Sequence, residues 1–255
     1  MTSNLRVATL MILAILSISF IEAQTDLSQL TAVEIVDRVD RMLRGDSSRG
    51  TMQMTVKTRR WERQMTLEIW SEGTEKALVK VLRPKKEEGV TTLKVNSDMW
   101  NYLPKIDRTI RIPTSMMMAS WMGSHFTNDD LVKESRLIHD YDIELSYQGK
   151  REELPVWEFT LTPHPDAPVV WGKIHYQVRK QDLMPTWVAY YGEDGERKRT
   201  LIFSDYREFG GRLVPARSRM IPEDEPEEFT EINYLELQFD VSIPRGTFSL
   251  ASLRR

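Results

Sequence analysis

The sequence predicts a mainly β, α+β fold: a curled antiparallel sheet of about eleven strands, with one helix before it and short helices interrupting it mid-chain. Three observations predict this. A run with helical spacing opens the chain, between Leu30 and Leu43. After Gly45 the apolar period becomes twofold and stays so for most of the remaining sequence. The alternating runs also follow one another directly, so neighbouring strands can pair as hairpins without crossover helices.

Leu30, Val33, Val36, Val39 and Leu43 recur at spacings of three and four and share a helix face. Thr31 and Glu34 fit a capping box, and Gly45 can adopt the left-handed conformation that ends a helix. Next, Met52, Met54 and Val56 alternate with Gln53, Thr55 and Lys57, and Met65, Leu67 and Ile69 alternate with Gln64, Thr66 and Glu68. Tyr141, Ile143, Leu145 and Tyr147 repeat the pattern, as do runs at 156–161, 172–179, 186–191, 200–206, 212–220 and 229–241. Glu72-Gly73, Gln148-Gly149, Asp194-Gly195 and Gly210-Gly211 supply turns. A sheet this wide curls. Residues 113–139 lack alternation. There Thr114-Ser115 can cap a short helix through Met116 to Met122, stopped by Gly123, and a second helix starts near Thr127 with Asp129 and Asp130 in its first turn. The acidic tract 222–228 reads as a solvated loop.

Arg6, an apolar run from Val7 to Ile21, and Ala23 before Gln24 have the layout of a secretory signal peptide. Its apolar run is about 15 residues, short of the roughly 18 that a spanning helix needs. The expected division is a signal peptide over 1–23 and one domain over 24–255, soluble in an exported compartment. Lys plus Arg is 35 and Asp plus Glu is 38, so the chain lacks the basic excess of a nucleic-acid binder. Cysteine is absent, which removes disulfides, thiolate metal sites, a Cys nucleophile and a lipidated N-terminal Cys.

Catalytic signals are weak, and neither a metal site nor a cofactor is expected. His139, Asp140 and Asp142 read as the start of a strand, with both aspartates on its polar face. His164 reads as loop, and His175 as the polar face of its strand. His125, beside the Met-rich segment, has no nucleophile elbow, phosphate loop or zinc motif around it. The unusual chemistry is apolar. Met116, Met117, Met118, Trp121 and Met122 fall within seven residues. Such a segment is either ordinary core or an adaptable cover over a cavity.

The sequence resembles the outer-membrane lipoprotein-sorting proteins, relatives of the LolA/LolB lipoprotein carriers. The resemblance rests on Leu82-Arg83-Pro84, Gly89, Leu93-Lys94, Trp100-Asn101-Tyr102-Leu103-Pro104, Arg108, Arg111-Ile112, Met122-Gly123-Ser124-His125-Phe126 and Asp130-Leu131. Trp171, Pro185, Tyr191, Gly195, Tyr206, Gly211, Pro215, Met220 and Ile243-Pro244 extend it over roughly 30–253. His125 stands where the family commonly has Asp. The resemblance implies an incomplete antiparallel β-barrel whose apolar concave face is covered by helices. It also implies a periplasmic, non-enzymatic carrier or chaperone of lipoproteins or lipids, with an inner-membrane transport protein as donor or recipient and only transient membrane contact.

On this reading the cavity and lid residues come from Met52, Met54, Trp70, Trp100, Met116, Met117, Trp121, Met122 and Phe126. Which strand face points inward is left open. Arg83, Arg108 and Arg111 are candidates for the rim or a lid lock, with surface arginines as the alternative. An envelope-stress sensor on the same fold, or a lipid hydrolase using His125, are the rival functions.

Overall fold

The computed structural model describes residues 29–133 and 137–254. The expected signal-peptide boundary at Ala23-Gln24 lies outside the described residues. Thr31–Arg255 form one compact unit. Its helix α1 (Ala32–Arg44) begins as expected: the Thr31 hydroxyl accepts the Glu34 N–H at 3.3 Å, and the Glu34 carboxylate accepts the Thr31 N–H at 2.8 Å. At the other end Gly45 takes φ of 69° and donates its N–H to the Arg41 carbonyl. A Cβ there would meet the Arg212 guanidinium at 2.9 Å, so both conformation and space select glycine. The buried stripe is Ile35, Val36 and Val39, while Val33 is exposed, so the helix is rotated slightly from the expected face.

Among the described residues, thirteen strands form one antiparallel sheet: β1 (Ser47–Lys57), β2 (Glu62–Glu72), β3 (Lys76–Arg83), β4 (Thr91–Val95), β5 (Asp98–Leu103), β6 (Arg108–Arg111), β7 (Tyr141–Arg151), β8 (Leu154–Pro163), β9 (Lys173–Arg179), β10 (Pro185–Tyr191), β11 (Arg197–Phe209), β12 (Arg212–Pro222) and β13 (Phe229–Phe239). The order is β6-β5-β4-β3-β2-β1-β13-β12-β11-β10-β9-β8-β7, and the sheet is not closed, an incomplete barrel. The count exceeds the expected eleven because the short strands between 76 and 111 hide their period. Four of the five residues of β4 are buried, since both its faces are covered, and all four of β6 are exposed. Neither pattern alternates.

Register assigns the faces. Met52 lies opposite Leu67, Met54 opposite Met65, and Val79 opposite Thr92, all on the inner face with Gly50, Val56 and Ile69. Trp70 lies opposite Leu78, Leu78 opposite Leu93, and Leu93 opposite Trp100, on the other face. Phe248 and Leu253, at the C-terminal end, cover this second cluster. The two sheet edges, β6 and β7, are consecutive in sequence. Of the segment that joins them, the described residues 112–133 and 137–140 pass over the inner face.

Candidate functional site: a fastened lid over an apolar cavity

The crossing segment is not the single helix expected for 116–122. It makes two short 3-10 turns, Thr114–Met116 and Trp121–Gly123, separated where Ser120 leaves the helical region with ψ of 123°; Met122, with φ of 53°, and Gly123, with φ of 71°, then stop the second turn from continuing. A β-bridge between Ser120 and Thr127 ties off the loop between them. Helix α2 (Asn128–Lys133) starts where the sequence indicated. The Thr127 hydroxyl accepts the Asp130 N–H at 3.2 Å, and the Asp130 carboxylate accepts the Thr127 N–H at 2.7 Å. Helix α3 (Leu137–Asp140) leads into β7. Asp140, expected on the polar face of a strand, instead ends this helix and is buried.

One half of the lid is fastened to the sheet. The Trp121 indole, 1% exposed, donates to Thr92 Oγ1 at 3.2 Å on β4. Arg63 on β2 donates to the Met122 carbonyl and reaches Glu87 at 3.2 Å. The His125 N–H donates to Thr230 Oγ1 at 2.9 Å on β13; its Nδ1 lies 2.8 Å from the same oxygen and its Nε2 3.3 Å from Glu228. The Arg59 backbone N–H, with His125 as a lesser contributor, holds the Glu228 carboxyl below the usual carboxylate range.

Arg199 on β11 adds an ion pair to these fastenings. It donates to Asp130 Oδ2 at 2.8 Å and to Oδ1, and to the His125 carbonyl at 3.2 Å. The rings of Trp171 and Tyr190 lie 4.4 and 4.6 Å from its guanidinium carbon, so stacking holds the fork in place. Both side chains of this pair are about nine-tenths buried.

Beneath α1, α2 and α3 the inner face encloses a cavity of about 130 Å³. Its wall includes Val36, Leu137, Val170, Trp171, Ile174 and Val188, with Asp129, Asp130 and Asp140 also present. Burial, reinforced by Asp140 and Asp129, pushes the Tyr141 phenol at its edge far above its ordinary value, so the hydroxyl stays neutral.

The residues singled out in the sequence divide into four places. Met52 and Met54 are buried on the inner face, with Trp121 and Phe126 buried under the lid. Met122 sits inside the second turn with a left-handed backbone, Met117 is half-buried, and Met116 is exposed. Trp70 and Trp100 belong to the outer cluster, away from the lid. Arg83, Arg108 and Arg111 are exposed, and Arg111 pairs with Asp98. The arginines that touch the lid, Arg63 and Arg199, were missed. A signal existed: Arg199 is in phase with Leu201 and Phe203, a charge in an apolar series.

The histidines adopt ordinary roles. His164 lies 3.3 Å from Asp142, and His175 packs on Tyr191. Ser124 donates to the Trp121 carbonyl at 2.7 Å. Thr230, His125 and Glu228 form a hydroxyl–imidazole–carboxylate line, but Thr230 is 0% exposed and its oxygen already accepts the His125 N–H. This line acts as a clasp for the lid.

A family model described as "-like: Uncharacterized protein" matches residues 73–255. No curated protein matches the chain. Among solved structures, the chain is similar to an outer membrane lipoprotein-sorting protein domain from Vibrio parahaemolyticus (TM-score 0.77, 22% identity, covering 88% of this chain and 98% of that one). It is also similar to a DUF1329 family protein from Desulfovibrio piger (TM-score 0.80, 21% identity, 87% and 97% covered). A LolA superfamily protein from Nitrosomonas europaea matches with TM-score 0.73 at 19% identity, covering 88% and 99%. The chain therefore belongs to this family of uncharacterized proteins, and its fold is that of the LolA-like lipoprotein-sorting proteins.

Proposed function

We propose that the protein is a carrier that takes an acyl chain of a lipoprotein or lipid beneath its lid and hands it from one envelope membrane to another. The observation that carries this reading is the lid itself. An apolar concave face is covered by a segment fastened through hydrogen bonds and one ion pair, which can be remade after each release. Burying ten methylenes at about 0.8 kcal/mol each gives roughly 8 kcal/mol before ordering costs, enough for useful and reversible affinity. The closed cavity of about 130 Å³ holds only part of such a chain, so loading displaces part of the cover. Of the finer parts of the reading, the signal peptide comes from the sequence, and the periplasm and the transporter from the family resemblance. Residues 1–23 act as a signal peptide, 24–255 work in the periplasm, and an inner-membrane transporter is the donor or recipient. Relatives described as lipoprotein-sorting proteins support lipoprotein cargo over a free metabolite.

The test is binding of a fluorescent acyl probe, with displacement by a synthetic lipidated peptide. Saturable binding with displacement is expected. A folded protein that takes up no probe, even after the lid is loosened by Asp130→Asn, overturns the carrier.

A further inference from the structure

The lid is fastened unevenly, and the asymmetry locates the mouth of the cavity. From Trp121 to Asp130 the segment bonds to β2, β4, β11 and β13. From Pro113 to Ala119, among the described residues, the hydrogen bonds stay within the lid: Asn128 donates from its amide nitrogen to the Met116 carbonyl at 3.0 Å, and the Asp129 N–H donates to the Met117 carbonyl at 2.8 Å. Beside this second half lies a cleft of about 740 Å³, with Ile112, Met117, Met118, Pro168 and Val170 along its apolar side and Glu75, Asn96, Asp98 and Arg111 along its polar rim. Met118 is 48% exposed there, whereas Trp121 and Phe126 seal the fastened end. Among the described residues, Asp129 and Val170 border both the cleft and the inner cavity and so belong to the wall between them.

We propose that an acyl chain enters and leaves through this cleft, passing between Val170 and the start of α2, while the Trp121–Asp130 half stays closed. The inference rests on the carrier reading and adds the route. Val170 is the loop side of the wall. The loop around it runs from His164, whose carbonyl accepts the Ala167 N–H, to Gly172, which rejoins the sheet at Tyr191. Asp129 is the fixed side, held in the first turn of α2. The unbranched methionines across the cleft conform to a chain at any depth, which suits a mouth better than branched side chains would.

The native chain has no cysteine, so a single introduced thiol reports on one place. Val170→Cys is labelled with a bulky maleimide, and loading of a fluorescent acyl probe is followed. Trp61→Cys, on the exposed β1–β2 turn near the fastened end, is the control, and Met118→Cys is the second mouth variant if Val170→Cys melts early. Labelling the Val170→Cys or Met118→Cys variant is expected to abolish loading with the melt retained. Labelling the Trp61→Cys variant should leave loading intact, and bound probe should protect the thiol of Val170→Cys from alkylation. Normal loading by folded, labelled protein carrying either mouth substitution overturns the route, as does loss of loading in the labelled control. Absence of loading by the unlabelled native protein is a separate result: it removes the carrier reading and the route with it.

Discussion

Asp130→Asn tests whether the lid opens as a unit distinct from the sheet. The substitution keeps the shape and leaves one carbonyl oxygen for Thr127 and Arg199, but it removes the charge that Arg199 faces. Both side chains are about nine-tenths buried, so solvent replaces little of the loss. Removing one partner of a buried pair costs about 3–5 kcal/mol; with the amide oxygen still accepting a hydrogen bond, the lower end, about 3 kcal/mol, is the working value. If that cost falls on lid opening, the open population rises by about two orders of magnitude. Hydrogen exchange reads this directly. The amides of Trp121, Ser124 and His125 should exchange about a hundredfold faster, while those of β1, β2 and β13 keep their protection. Uniform loss of protection across lid and sheet, with a collapsed melt, would show the lid to be ordinary core. Unchanged exchange everywhere would show that the ion pair does not hold it.

Trp121→Phe keeps most of the ring volume but removes the bond to Thr92, so stability should fall by about 1 kcal/mol in a denaturant melt. Met117→Glu, on the half that bonds only within the lid, should retain a cooperative melt and lose binding of an acyl probe; unaltered binding would place the chain elsewhere. His175 prefers its neutral form, because burial and then Lys173 lower its pKa below 6.5. Its stabilising contribution is full above that pH and is lost as pH falls through the folded value, so His175→Gln should flatten the decline in Tm on mild acidification, and an unchanged slope would refute this. N-terminal sequencing of the protein released by osmotic shock should begin near Gln24, and recovery of an Arg6 peptide in membranes alone would refute the leader.

The sequence made α1 and the long strands legible because each has one wet and one dry face. Met52, Met54, Met65 and Leu67 needed no partner information to be placed on a common side. β4 was not legible for the opposite reason: Thr92 meets the lid and Leu93 meets the C-terminal segment, so neither side of the strand is wet. The fixing of the lid was hidden too. Arg63 and Arg199 gain their roles from bonds to residues roughly 60 and 70 positions away, and no local period records such pairings. Trp70 and Trp100 looked like cavity aromatics by size alone. Register, which sequence does not give for isolated strands, puts them on the outer cluster.

The pairing of β1 with β13 bears on the order in which this chain can fold. The strands β1–β6 form one local meander and β7–β13 another, each assembled from hairpins between near neighbours. The seam between them joins Ser48 to Phe239 and Met54 to Ile232, contacts that span about 70–75% of the sequence. Such a high-contact-order closure is slow, and it cannot begin until the last strand has been made. Until then the inner strand β1 presents an unpaired edge carrying Met52, Met54 and Val56. A chain threaded through a membrane before folding would gain from this delay, since its two meanders stay unjoined until β13 has been made. The same delay makes the half-built sheet a client for any factor that shields exposed strand edges, and a truncation that removes β13 should leave two separate meanders rather than a smaller barrel.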